Sequence, residues 1–146
     1  MRYILVLLLL VAFAPADVAA TTCMPDGGSR AQVRAAFDAS SVVFSAYVLD
    51  VSGEADDAIA KLKVLQVWKG ELEVGQIVEA TAGESVRFMS DGVVPTPGTA
   101  LLVYSSSTEP FMLHTCSRTR ELNSATGDIP LLNTFSKKRR YRLGGA

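Results

Sequence analysis

The chain has 146 residues, 49% of them apolar, and its 14 basic and 15 acidic residues leave a net charge of −1. Once an N-terminal leader is set aside, about 126 residues remain, enough for one domain with a sizeable core and too few for two ordinary ones. Two cysteines and a single histidine exclude any pair with zinc-ligand spacing.

Arg2 followed by the apolar run Tyr3 to Phe13 and then small residues has the layout of a secretory signal, with an h-region too short to span a bilayer. Val18 and Ala20 fit the small-residue cleavage rule, so residues 1–20 are expected to be a signal peptide and Thr21 the new N-terminus. A secreted or periplasmic location follows. Export places Cys23 and Cys116 where thiols oxidise, and a bridge between them is expected, with two separately buried thiols as the alternative. Closing so long a loop would constrain the unfolded chain by roughly 4 to 5 kcal/mol.

Ser29 with Gln32 three residues later is a capping-box pattern, and Val33, Ala36 and Phe37 recur at helical spacing, which predicts a short amphipathic helix ending near Ser40. Ser41 to Val51 is a β-rich run with apolar residues on both faces, as in a barrel strand. The acidic residues Glu54, Asp56 and Asp57 lack the spacing of a calcium loop and mark a solvated turn. Ala60 to Gly70 begins with Leu62 and Val64 alternating with Lys61 and Lys63 and ends apolar on both sides at Leu65, Val67 and Trp68. Gly70 stops it, and Gln76 to Thr81 is expected to pair with it as a central hairpin, with Trp68 packed in the core or at a barrel end.

Gly83 to Gly98 reads as a long loop holding a short strand near Ser85 to Phe88, with Val93 and Val94 either facing a partner or folded back. Thr99 to Tyr104 and Phe111 to Cys116 are the next expected strands. Asp128-Ile129-Pro130 followed by Leu131, Leu132 and Phe135 predicts a capped helix with Pro in its first turn. These elements predict a mainly β fold, a small closed antiparallel OB-like barrel of five to six strands with a short helix near each end. The domain is expected to span 21–135, followed by a basic flexible tail over 136–146.

In that tail Lys137, Lys138, Arg139, Arg140 and Arg142 put five positive charges in six residues, against a body that is acidic. A disordered, solvated tail is the leading expectation, with weak contact with an anionic surface such as lipid headgroups as the alternative. Nucleic-acid binding is not expected, because surface aromatics interleaved with basic residues are missing. His114, in mid-strand, is expected to be structural, and nothing in the pattern supports catalysis, so the chain is not expected to be an enzyme or to carry a cofactor or metal of its own.

Three stretches share a resemblance. Val67-Trp68-Lys69-Gly70, Thr21-Thr22-Cys23-Met24-Pro25 and Thr115-Cys116-Ser117-Arg118-Thr119 resemble, in order and spacing, the strand end, N-terminus and late strand of bacterial netrin-like domains, relatives of the inhibitory domain of tissue inhibitors of metalloproteinases. The resemblance covers Thr21 to Leu132 and implies the same OB-like barrel. It implies structural roles for Val67, Trp68, Lys69, Gly70, Ser117, Arg118 and Thr119. It also implies an inhibitory ridge, Thr21, Thr22, Cys23 and Met24, in which the Thr21 α-amine and carbonyl would chelate the catalytic zinc of a target protease. The partner would then be a zinc metalloprotease, bound by a monomer. One departure stands out: Thr21 replaces the family's first cysteine, and Glu84 to Met89 lacks that cysteine's partner, so one bridge is missing at both ends. The alternatives are a frayed N-terminus leading to a structural Cys23, and an extracytoplasmic interaction module that uses barrel loops without inhibition.

Overall fold

The computed structural model describes residues 28–53, 58–82, 93–108 and 110–143. The signal segment, the ridge Thr21 to Met24, the acidic residues Glu54, Asp56 and Asp57, and the strand expected near Ser85 to Phe88 lie outside them.

The first helix, α1 (Arg30–Ala39), starts where the sequence predicts. Ser29 Oγ accepts from the Gln32 amide while the Gln32 side chain accepts from the Ser29 amide, satisfying donors that the first turn leaves unpaired. Val33 and Phe37 form its buried face. Strands β1 (Val42–Ser52), β2 (Ile59–Lys69), β3 (Ile77–Thr81), β4 (Ala100–Ser105), β5 (Phe111–Met112) and β6 (Arg120–Glu121) follow, and α2 (Asp128–Leu143) closes the chain.

The strands form one sheet in the order β5-β3-β2-β1-β4-β6, curved into a half-barrel. The mainly β, barrel-like architecture with a helix near each end is the one expected. Every neighbouring pair is antiparallel except β3 and β5, which run parallel through Ala80 opposite Phe111 and Thr81 opposite Met112. The sheet is therefore mixed, and β2 and β3 make the expected hairpin beside the central strand β1.

Two cores lie on opposite faces of this sheet. The inner one gathers Val42, Phe44, Ala46 and Val48 of β1 with Leu62 and Val64 of β2, Leu101 and Val103 of β4, and Phe111 and Leu113. The outer one sets Val43, Trp68, Leu102 and Tyr104 against Val33 and Phe37 of α1 and Leu132 and Phe135 of α2. Strand β4 and the first half of β1, Val42 to Ala46, are thus buried on both faces, whereas Tyr47 and Leu49 further along β1 are exposed.

Two differences from the expected pattern have local causes. β2 does not end buried on both sides: Leu65 is 42% exposed, because it is the extra residue where Ser45 opposes Gln66 and Ala46 opposes Val64. A second irregularity, with Val43 opposite Lys69 and Phe44 opposite Val67, makes Trp68 the extra residue; Val67 packs on the inner core and Trp68 in the outer one. The strand expected over Phe111 to Cys116 is only Phe111–Met112, and Thr115–Ser117 is instead a 3-10 turn whose carbonyl acceptor is His114. Finally, α2 runs to Leu143, so helical backbone continues through the basic segment and the tail boundary expected after residue 135 falls inside the helix.

Candidate functional site

Val67 to Gly70 forms the junction between the sheet and both helices. Trp68 is buried, and its Nε1–H donates to Asn133 Oδ1 of α2 at 2.7 Å. Lys69 Nζ donates to the carbonyls of Phe37 and Asp38 at 2.7 and 3.1 Å, placing a cation on the last turn of α1, where the helix dipole and the unpaired carbonyls favour it. Its ammonium also lies 5.2 Å from the Phe37 ring centroid. Gly70 has φ of 100°, and a Cβ there would meet both Val42 Cγ atoms at 3.0 Å, so glycine is required both by conformation and by space.

The second motif, Ser117 to Thr119, is organised around a buried carboxylate. Asp128, in the first turn of α2, is fully buried and takes Arg118 Nη2 on both oxygens at 3.0 and 3.2 Å, Arg120 Nη2 at 2.9 Å and the Tyr104 hydroxyl at 3.0 Å. A buried acid of this kind is tolerable only when its lone pairs are filled, and here charged and neutral donors fill them. Arg118 is itself 4% exposed and reaches this position with φ of 71°, a left-handed conformation rarely adopted by a side chain of its size. Burial first, then the charge of Asp128, push the Tyr104 phenol above the usual phenol range.

Thr119 completes the turn. Its hydroxyl accepts from the Tyr104 amide at 3.1 Å and faces the Tyr104 carbonyl at 3.2 Å, standing in for a strand partner at the edge of β4. Ser117 Oγ donates to the His114 carbonyl at 2.7 Å and contacts Thr119 Oγ1 at 3.0 Å. The turn is therefore fixed at its start, its middle and its end.

Cys116 sits in that turn and is disulfide-bonded. The chain's only other cysteine, Cys23, lies outside the described residues. Beside Cys116, a cavity of about 150 Å³ opens between Ala35, Ala36 and Ala39 of α1 and the turn residues Ser117 and Arg118. Thr21, Thr22 and Met24 likewise lie outside the described residues, so the structure does not place the ridge. Among the described residues, no group of three His, Cys, Asp or Glu side chains could hold a metal ion.

The loop before β4 divides as follows. The Val93 amide donates to the Leu113 carbonyl at 3.1 Å and its side chain packs on the inner core, while Val94 is 46% exposed. On the outer face of the sheet, beyond the helices, Tyr47, Lys63 and Ile77 form one cross-strand row, with Tyr47 and Ile77 exposed.

Sequence reasoning did not find Asp128 as the hub, nor Tyr104, Arg120 and Asn133 as partners. Asp128 was legible only as a helix-start residue, and nothing local marks the 24-residue separation between it and Tyr104. Among the described residues no helix is long and apolar enough to cross a membrane. Compared with known proteins, the chain matches no family model and no curated protein.

Proposed function

We propose that the protein is an exported, netrin-like protein-binding domain that inhibits a zinc metalloprotease through its N-terminal ridge. The observation that carries this reading is the rigid seat of Cys116: a disulfide-bonded residue on a turn held by the buried Arg118–Asp128 pair. With Cys23 as the partner in that bond, the two residues before it would be tethered to a turn held by side-chain hydrogen bonds and the buried ion pair. Pre-organisation of that kind lowers the entropy lost on binding.

In this mechanism cleavage after Ala20 frees the Thr21 α-amine. An amine with an ordinary pKa of about 8 is partly neutral near pH 7, and binding to a metal draws out more of the neutral form. The amine nitrogen would take the place of the water on the target's catalytic zinc, the Thr21 carbonyl oxygen would add a fifth ligand, and the Thr22 side chain would enter the adjoining pocket. Cys23 holds the segment and supplies no metal ligand.

Intact mass and N-terminal sequencing of the exported protein test the first step, with residues 21–146 less two hydrogens expected. Titration against a panel of zinc proteases tests the second, and inhibition is expected to vanish when the N-terminal amine is acetylated. An N-terminus elsewhere, or inhibition that survives acetylation, would overturn the chelate.

A second reading, an interaction module without inhibition, is supported by exposed apolar residues on turns between strands, Val74 at 71% and Val94 at 46%. Its test is the pair V74E and V94E, which should abolish capture of a partner from the extracytoplasmic fraction while acetylation leaves it intact.

A further inference from the structure

The two helices meet at Phe135, and their meeting gathers positive charge from distant parts of the chain. Arg30 Cζ lies 5.6 Å and Arg34 Cζ 5.0 Å from the Phe135 ring centroid, while the Phe37 and Phe135 rings pack at 5.7 Å. Two residues beyond Phe135, the exposed Lys137 opens the basic run of α2, which is helical through Arg142. Between Thr21 and Ser136 acidic residues outnumber basic ones by fourteen to eight, whereas the last ten residues hold five basic and no acidic ones. The charge asymmetry is thus focused at the α1–α2 end and continues onto α1.

We infer that this end of the domain, where Arg30, Arg34 and the exposed Lys137 lie and the basic run of the sequence begins, is a docking surface for an anionic phospholipid membrane. Charge complementarity carries the choice of occupant. Basic residues next to anionic headgroups each strengthen adsorption, and the run that Lys137 opens adds four more charges of the same sign within the next five residues of sequence. The aromatic rings beside these cations, Phe37 and Phe135, are each only 3% exposed and cannot stack on bases, which disfavours single-stranded nucleic acid. The choice of a membrane over duplex nucleic acid rests on the export reading; adsorption itself is independent of the zinc ridge. Arg34 is partly neutralised by Asp38 at 2.7 Å, which makes Arg30 the cleaner probe of the α1 contribution.

The test is co-sedimentation of the exported chain with vesicles of phosphatidylcholine alone and of phosphatidylcholine with a quarter of phosphatidylglycerol. Binding only to the anionic vesicles is expected, falling at least tenfold between about 0.05 M and about 0.5 M salt as the charges are screened. Replacing Lys137, Lys138, Arg139, Arg140 and Arg142 together by Gln should lower partitioning roughly a hundredfold or more. R30Q alone should lower it roughly fivefold, the change that about 1 kcal/mol per basic residue amounts to. Circular dichroism would confirm that R30Q, an exposed substitution, leaves the fold intact. Equal binding to neutral vesicles, no effect of R30Q, or tighter binding to a DNA duplex at the same salt would each overturn the proposal. Loss of protease inhibition with adsorption retained would count against the ridge alone.

Discussion

The indole N–H of Trp68 and the Oδ1 of Asn133 meet at 2.7 Å across 65 positions of sequence, joining the end of the second strand to the last helix. Gln66 Nε2 approaches the same oxygen at 3.4 Å, so one side-chain amide on α2 takes donors from β2 on both sides of Val67.

Removing that acceptor should cost stability without disturbing the sheet. N133A is expected to lower the unfolding free energy by about 1 kcal/mol, the net worth of a hydrogen bond from a mostly buried donor. W68F should cost more, since it also gives up apolar area in the outer core. Urea denaturation of both single variants and the double variant should return a coupling of roughly 0.5 to 1.5 kcal/mol, and a coupling near zero would mean that the bond does not hold the helix.

The carboxylate of Asp128 should be the most sensitive polar position. D128N leaves Arg118, nearly fully buried, facing a neutral amide, and should cost roughly 3 to 5 kcal/mol. R120Q should cost much less, because that side chain keeps 21% of its exposure and water can replace the lost partner. Denaturation midpoints give the order, and a larger loss for R120Q than for D128N would refute it.

Gly70 and Gly75 both have positive φ, 100° and 89°, but only Gly70 faces a neighbour. G75A should therefore cost only the left-handed strain, about 1 to 2 kcal/mol. G70A should add a clash with Val42, and the excess over G75A, measured by thermal or urea unfolding, reports the close packing at the start of β1. Cutting back Val42 in the same chain should recover part of that excess.

Alkaline pH should weaken the fold through Tyr104. Its folded pKa is raised, so the folded chain holds the phenol proton more tightly than the unfolded chain does. The contribution is fully present below about pH 10, where an unfolded tyrosine ionises, and is lost as pH rises beyond it toward the folded value. The urea midpoint should fall above about pH 10, more steeply in the native chain than in Y104F. In a phenolate absorbance titration, part of the signal should appear only as the chain unfolds, and Y104F should remove that part.

Much of the frame was legible because its causes are local. The Ser29–Gln32 capping box, the alternation over Ala60 to Val64 and the apolar run before Tyr104 each declare an element within a few residues. Gly70 declared its turn for the same reason. What escaped depended on partners far away in sequence. The bulge at Leu65 is a register shift between β1 and β2, which the composition of β2 alone cannot show. The run Phe111 to Cys116 has strand-like residues, yet it turns after Met112 because Ser117 and Arg118 are held by His114, Thr119 and Asp128. The basic segment reads as a solvated tail when charge alone is counted, whereas Lys and Arg are also good helix formers, and α2 continues through them. For the candidate site, Cys116 and its flanking residues were legible by type, whereas the carboxylate that fixes them was not.

The two cores on opposite faces of β1 and β4 bear on the order in which the chain can be completed. Everything needed for the inner core has been synthesised once Leu113 is made, so the sheet and its concave lining can form early. The outer face, with Val43, Trp68, Leu102 and Tyr104, has only Val33 and Phe37 of α1 to cover it until Leu132 and Phe135 are made. A product truncated between these points would keep a well-paired sheet while presenting a greasy aromatic surface to its surroundings. For this protein, then, the cost of an early stop is stickiness, and the last helix is what makes the finished sheet safe to release.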